Sequence, residues 1–207
     1  MLRKLFAALL SLFATLAVGQ GDQRALKPLI EIGDRWTYRG INILGPGTEE
    51  YDMQVASVHD NLVQVVCARK RDGKEFDGTY TGEWSSAVSC LGSVSRPPVR
   101  FLRFPLHVGD TYSVNYVTQR VRASKYTVEV EGKVTVEGWE QIEVPAGRFG
   151  ALKVEVETKI SQPNGGWLDR TWTLWYSPDV RRWVKLLSMA VGGDTISEEL
   201  LSFKLVE

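Results

Sequence analysis

The sequence predicts an all-β protein, built as a single curved antiparallel sheet or half-barrel of long hairpins. Between Leu152 and Ile160, apolar residues alternate with lysine and glutamate. A period of two places one face of a strand in a core and the other in water. Turn residues separate such runs along the chain, and no segment after the N-terminal apolar run shows a clear helical period.

The N-terminus has the pattern of a secretory signal peptide. Basic residues precede an apolar run from Leu5 to Val18, which ends in small residues. The run is about 14 residues long, short of the roughly 20 that a membrane-spanning helix needs. We expect cleavage of residues 1–19, with residues 20–207 forming a single antiparallel β domain. No cysteine stands directly after Gly19, where a lipoprotein would need one, so we expect a periplasmic protein that is not a lipoprotein.

The charges of the chain do not point to a polyanionic partner. The full sequence has 25 basic and 25 acidic residues, and cleavage would remove two of the basic ones. Charges of both signs are interspersed, so we expect neither a nucleic-acid partner nor an anionic membrane surface. No apolar stretch after the N-terminus is long enough for a transmembrane segment.

Several strands are predicted in the first half of the chain. Gly33-Asp34 turns into the first of them. Tyr51–Val55 and Leu62–Cys67 alternate on either side of polar turn residues and form a predicted hairpin. The region from Arg69 to Pro98 is less regular and indicates short strands or a long excursion.

The second half begins with an echo of the first. Gly109-Asp110 starts a strand 76 residues after Gly33-Asp34. A weak internal duplication would explain the echo, and so would the general suitability of Gly-Asp for a turn. The run from Tyr126 to Glu137 alternates through Gly132, where we predict a bulge or bend.

Two long strands follow, joined by one sharp turn. The first leaves through Gln162–Gly166, where Asn164-Gly165 supplies the positive φ values of a tight hairpin. The chain returns over Thr171–Tyr176. Alternation at the C-terminus, over Leu201 to Leu205, predicts a final strand.

Three short motifs give the chain a resemblance to a known family. They are the turn Val144–Phe149, the exit Trp175–Pro178 and the strand start Pro105–Asp110. In this order and spacing the chain resembles a family of exported bacterial β-proteins of unknown function, with a Val-Pro-Ala-Gly-x-Phe turn and a Trp-Tyr-(Ala/Ser)-Pro exit. The resemblance runs from about Gly33 to the end. It implies an antiparallel half-barrel and export, and it carries no catalytic residues.

Cys67 and Cys90 are the two cysteines of the chain. In an oxidising compartment they would form a disulfide. Closing a loop of about 24 residues would then stabilise the fold by roughly 3 kcal/mol. Two buried free thiols are the alternative. The spacing is not that of a thioredoxin-like redox motif.

No catalytic or metal-binding constellation stands out. His59 and His107 lie in predicted turns, outside any cluster with metal-ligand spacing. Nucleophile elbows and phosphate-binding glycine loops are missing from the sequence. Glu155 and Glu157 alternate with lysines, which favours a solvated sheet face over a glycosidase pair. We therefore predict no catalytic residue, no metal, no cofactor and no enzymatic activity.

Seven tryptophans are the unusual feature of the composition. On the strand Thr171–Tyr176 aromatic residues point to both faces, so both faces should be partly covered. A concave aromatic surface would hold an apolar small molecule, lipid or partner segment; ordinary packing of a curved sheet is the alternative. The candidate ligand-binding residues are Trp36, Trp172, Trp175, Tyr176 and Trp183.

Three functions remain, in order of preference. The first is a non-enzymatic periplasmic binding or accessory protein whose curved sheet holds an apolar ligand or a partner segment. The second is a structural or interaction protein of the cell envelope that pairs through a sheet edge. The third is a hydrolase without a recognisable motif.

Overall fold

A computed structural model describes residues 24–42, 47–90, 92–120 and 126–207. The signal peptide predicted over residues 1–19 lies outside them. The described residues contain fourteen strands and a three-residue 3₁₀-helix. The elements are β1 (Arg24–Ala25), β2 (Arg35–Ile41), β3 (Thr48–His59), β4 (Leu62–Arg69), β5 (Glu75–Thr81), β6 (Ser86–Val88), β7 (Ser93–Val99), β8 (Leu106–His107), β9 (Thr111–Arg120), β10 (Thr127–Val144), β11 (Gly147–Ser161), β12 (Trp167–Ser177), η1 (Pro178–Val180), β13 (Arg182–Ala190) and β14 (Thr195–Lys204).

Twelve of the strands close into an antiparallel barrel. The order is β10-β11-β12-β13-β14-β2-β3-β4-β5-β6-β7-β9, and β9 pairs again with β10. The all-β prediction is confirmed, but the open sheet or half-barrel was wrong. Two junctions close the ring: β14 with β2, where Leu200 opposes Tyr38, and β7 with β9, where Ser95 opposes Thr118. Each barrel strand has a partner on both sides, so the barrel lacks the free edge that the second predicted function requires.

The barrel consists of two six-strand meanders, β2–β7 and β9–β14. The same turn begins both. Gly33 and Gly109 have φ values of 98° and 90°. The N–H of Gly33 donates to the carbonyl of Val55 at 2.9 Å, and that of Gly109 donates to Val136 at 2.8 Å. In each case the valine N–H donates back to the carbonyl of the following aspartate at 2.9 Å. The sequence echo is therefore also a repeat of backbone structure.

Glycines in two hairpins have roles other than those predicted. Strand β10 pairs regularly through Gly132, and its register shift lies between Val136 and Gly138. A Cβ at Gly132 would lie 2.5 Å from the carbonyl oxygen of Glu157, so close approach of the backbones explains this glycine. In the β11–β12 turn the positive φ values belong to Gly165 and Gly166, both 83°, instead of to Asn164.

One half of the barrel is packed solid. The connection between β7 and β9 contributes buried Leu102 and Phe104, and Leu106 of β8 lies beside them. The Phe104 ring packs edge-on against Tyr176, with 5.0 Å between centroids. The N-terminal segment joins this side of the molecule, because β1 pairs with β8.

The outer face carries the charged residues that the alternation predicted. Glu157 on β11 lies opposite Lys133 on β10, and both are exposed. This arrangement is that of a solvated sheet face. Among the described residues, no helix is long and apolar enough to cross a membrane.

Candidate functional site

The other half of the barrel encloses a cavity of about 430 Å³. Its position follows from the order of residues along the strands. On β12, Leu168, Arg170, Trp172 and Leu174 line it, whereas Tyr176 does not. The cavity therefore begins where the solid core ends and reaches the end of the barrel that carries the β11–β12 and β13–β14 turns.

Aromatic and aliphatic side chains form most of the cavity wall. Most of them come from inward-facing positions of the strands, because alternate side chains of a strand point to the same face; Trp84, Phe101 and Tyr126 come from the connections between strands. The aliphatic residues include Val128, Val130, Leu186 and Ile196. The aromatic residues are Tyr51, Tyr80, Trp84, Phe101, Tyr116, Tyr126, Trp172 and Trp183.

A disulfide holds one side of this wall together. Cys67 of β4 and Cys90, just after β6, both line the cavity. Their sulfurs are 2.07 Å apart and their Cα atoms 6.0 Å apart, within the range that a disulfide allows. The structure therefore agrees with the predicted pairing instead of with two free thiols.

A buried carboxylate lies at the inner end of the cavity, which we call the floor. Glu198 of β14 accepts a hydrogen bond from the Trp183 indole N–H at 2.7 Å and another from the Tyr51 hydroxyl. Burial, followed by the charge of Glu198, raises the pKa of Tyr51 well above its usual value. Tyr51 therefore remains a neutral hydrogen-bond donor to the carboxylate at neutral pH.

A buried guanidinium lies at the same floor. Arg182, only 2% exposed, lines the cavity. Its Cζ atom is 3.7 Å from the ring centroid of Trp183 and 4.6 Å from that of Trp84. These rings offset part of the cost of burying the charge through cation–π contacts. The Nε and Nη1 atoms of Arg182 have no hydrogen-bond partner.

The backbone just before β13 holds two of the aromatic rings around Arg182 in place. The Trp36 indole N–H donates to the carbonyl of Val180 at 2.8 Å, and the Trp84 indole N–H donates to that of Arg181 at 2.7 Å. The chain changes direction here, because Arg181, the residue after η1, has a φ of 59°. Rings from β2 and from the β5–β6 turn are thus fixed against one short stretch of chain.

A second guanidinium lies near the open end of the cavity. Arg170 of β12 donates to the Ser188 hydroxyl at 3.0 Å and to the carboxylate of Asp194. Its Cζ atom lies 5.6 Å from the centroid of Trp172. Asp194 is half exposed, so this ion pair lies at the boundary between cavity and solvent. In contrast to Arg182, Arg170 has both a carboxylate and a hydroxyl as partners.

The five candidate ligand-binding residues lie in three different places. Trp172 and Trp183 line the cavity. Trp36 and Tyr176 are fully buried in the core outside its lining. Trp175 lies on the outer face, where its indole N–H donates to Glu140 at 2.9 Å.

The charged residues of the cavity were missed at the sequence level, although a signal was present. Glu198 shares its strand face with Ile196 and Leu200, and Arg170 shares its face with Trp172. A charged residue at an inward position of an otherwise apolar face is expensive to bury. Such a residue therefore marks a site where a polar group has a specific partner or task.

The two histidines lie away from the cavity. His59, the last residue of β3, is beside Asp60, and His107, the last residue of β8, is beside Asp110; both histidines are exposed, with nitrogen–oxygen distances of 3.5 and 3.3 Å. Neither histidine belongs to the cavity lining. Throughout the part of the chain that the structure describes, no three histidine, cysteine or carboxylate residues are grouped to hold a metal ion.

Comparison with solved structures identifies the fold. A Bacteroides fragilis protein described as exported and as having a YmcC-like fold matches with a TM-score of 0.57 at 16% identity, over 87% of this chain and 99% of its own. A Parabacteroides distasonis protein described as a lipoprotein matches with a TM-score of 0.54 at 13% identity, over 86% and 98%. The hypothetical lipoprotein YmcC of Escherichia coli matches at 0.49 and 10% identity, over 84% and 85%. The first of these matches shows that the chain has the YmcC-like fold.

The comparisons at the sequence level give no match. No protein-family model matches the chain, and neither does any curated protein.

Proposed function

We propose that this protein is an exported, non-enzymatic binding protein whose barrel cavity holds an apolar small molecule. The observation that carries the proposal is the cavity itself. Its volume of about 430 Å³ falls within the roughly 300–1,000 Å³ of small-molecule sites in proteins. Its wall is mainly aromatic and aliphatic, and its polar groups are serine and threonine hydroxyls, one glutamine and four charged residues.

Ordinary packing does not account for the cavity. The same barrel fills its other half with Phe104, Leu106 and neighbouring side chains, so this fold and composition are able to build a solid core. An empty apolar cavity forfeits dispersion contacts and destabilises a protein. A ligand in the cavity would restore these contacts and would stabilise the folded state by mass action.

Three observations support export. The basic and apolar N-terminus is typical of a signal peptide, the Cys67–Cys90 pair would form in an oxidising compartment, and the chain resembles exported β-proteins. Two proteins that share the fold are described as exported or as a lipoprotein.

Expression in a bacterial host followed by intact-mass measurement tests the proposed export. We expect cleavage after Gly19 without added lipid, and a retained N-terminus or a lipid mass would contradict it.

Dye binding tests the ligand proposal. The uncharged dye phenylnaphthylamine, which fluoresces in apolar surroundings, should bind the purified protein with saturation. Ser93, which lines the cavity, is changed to Phe in order to fill it. Ser202, exposed on the outer face of β14, is changed to Phe as the matched control. We expect Ser93→Phe to weaken dye binding and Ser202→Phe to leave it unchanged.

The stability of each variant decides how these results are interpreted. Both are compared with the wild type by urea denaturation, so that loss of the fold is not mistaken for a filled cavity. A folded wild type that binds neither the dye nor any apolar compound would refute the proposal. Equal weakening of dye binding by both variants would place the dye elsewhere and would also count against the cavity.

A further inference from the structure

On the basis of the proposed function, the ligand class can be narrowed. We propose that the ligand is an amphipathic molecule with a long apolar chain and a carboxylate head group, and that Arg182 binds the head group at the cavity floor. The apolar chain would then lie along the wall between the floor and the open end.

The two charged groups at the floor differ in their hydrogen-bond partners. Glu198 accepts hydrogen bonds from Trp183 and Tyr51. Arg182 has Nε and Nη1 atoms without partners, and no carboxylate oxygen of the described residues lies within 4.0 Å of its side-chain nitrogens. Buried polar groups without partners are rare and costly. Arg182 at the floor therefore lacks a hydrogen-bond acceptor, whereas Glu198 already has its donors.

The comparison with Arg170 strengthens this conclusion. Arg170 also lines the cavity and is also buried, but Ser188 and Asp194 accept its hydrogen bonds. The deeper of the two, Arg182, has aromatic rings and the hydroxyls of Tyr38 and Tyr80 around it, but no carboxylate partner within the described part of the chain. Ring faces compensate the charge in part, but they do not replace directional acceptors.

A carboxylate fits Arg182 best among common head groups. Its two oxygens match the planar guanidinium in a bidentate pair, and such charge-assisted hydrogen bonds are the stronger kind. An alcohol would offer one neutral acceptor. An amine is protonated at neutral pH, so it would place a second positive charge beside Arg182.

The test compares three probes that share one chain length: dodecanoic acid, dodecanol and dodecylamine. Each displaces bound phenylnaphthylamine from the wild-type protein at neutral pH, at concentrations below micelle formation. We expect the carboxylate to bind about ten-fold or more tightly than the alcohol, and the amine to bind most weakly. Equal affinities, or tightest binding of the amine, would overturn the proposal without the need for any variant.

A substitution tests the role of Arg182 directly. Arg182→Met keeps an unbranched apolar stem among the rings and removes the charge. The carboxylate should then bind no more tightly than the alcohol, while the alcohol still binds. Arg39→Met, on the exposed outer face, is the matched control and should leave the ranking unchanged. Retained carboxylate preference in folded Arg182→Met would overturn the proposal.

Failure of this inference is distinguishable from failure of the proposed function. If the dye and all three probes fail to bind the folded wild type, both are overturned. If the dye and the probes bind regardless of head group, only the assignment of a carboxylate to Arg182 is overturned.

Discussion

The carboxylate of Glu198 accepts a hydrogen bond from the indole N–H of Trp183 on the neighbouring strand, with 2.7 Å between oxygen and nitrogen. It also accepts one from Tyr51 on β3. One buried side chain thus connects β14 to β13 and to a strand across β2 in the barrel order. Glu198 is also the carboxylate whose charge acts on the tyrosines around Arg182.

We predict that Glu198→Leu destabilises the protein by about 3 kcal/mol or more, because two buried donors lose their acceptor and Arg182 loses a nearby negative charge. Glu199→Leu is the control. Glu199 lies next in sequence but faces outward, in a partly exposed pair with Lys185 at 2.7 Å, so its loss should cost less than about 1 kcal/mol. Urea denaturation measures both, and similar costs would contradict a structural role for Glu198.

The sequence predicted the strands well because their signal is local. Alternation over Leu152–Ile160 places Val154 and Ile160 on the inward face, where the structure has them. Closure of the barrel has no local signal: it depends on pairing Leu200 with Tyr38 and Ser95 with Thr118. These pairs are distant in sequence, and alternation does not specify partners.

The cavity was beyond sequence reasoning for a related reason. Val154 belongs to the solid core and Ile160 to the cavity wall, although both belong to one alternating run. What separates them is the segment after β7, which packs Phe104 against the core half only. The inward charged residues, in contrast, could have been recognised, because the sequence shows a glutamate between Ile196 and Leu200 on the same strand face.

The glycines of β10 provide a matched pair of substitutions. An alanine Cβ at Gly132 would lie 2.5 Å from the backbone oxygen of Glu157 and 2.8 Å from a Thr158 methyl, whereas at Gly138 it would meet nothing within 4 Å. We predict that Gly132→Ala costs roughly 1–3 kcal/mol through forced backbone movement. Gly138→Ala should be neutral or slightly stabilising, because it restricts the unfolded chain. Thermal denaturation of the two variants checks this, and the reverse order would contradict the predicted crowding at Gly132.

The two Gly-Asp turns provide another matched pair. Asp34 is fully buried; its carboxylate accepts from Arg181 at 3.1 Å and from the Val206 backbone N–H at 2.8 Å. The side chain of Asp110, in the equivalent turn, is half exposed, and within the described part of the chain its carboxylate contacts only His107. Asp34→Asn removes the charge that Arg181 requires and should cost about 2 kcal/mol. Asp110→Asn should cost less than about 1 kcal/mol.

The experiment compares denaturant midpoints of the two asparagine variants with the wild type. Equal effects would mean that the repeated backbone turn, and not the buried ion pair, determines the contribution of this aspartate.

The disulfide gives a prediction that does not depend on any ligand. Protein purified after export should show no free thiol until a reductant is added. Reduction, or the double substitution of Cys67 and Cys90 by serine, should lower stability by roughly 3 kcal/mol for a loop of this length. Two titratable thiols in unreduced exported protein would refute the pairing.

Six tyrosines make the protein sensitive to alkali. Burial, the largest cause in each case, raises the pKa of Tyr112 to about 12 and also raises the pKa of the other five. The other five are Tyr38, Tyr51, Tyr80, Tyr116 and Tyr176. In the unfolded chain a tyrosine titrates near pH 10, so each folded pKa lies above its unfolded value.

The direction of the effect follows from proton linkage. The stability that depends on these neutral hydroxyls is fully present below about pH 10 and is lost as the pH rises towards the folded pKa values, because only the unfolded chain ionises in that window. Tyrosine ionisation should therefore leave the urea midpoint unchanged up to about pH 9 and lower it above about pH 10. Tyr176→Phe removes a group that burial alone shifts. Over the same window its free energy of unfolding should fall less steeply than that of the wild type, by up to about 1.4 kcal/mol per pH unit. Identical slopes for the two proteins would show that Tyr176 titrates alike in the folded and unfolded states.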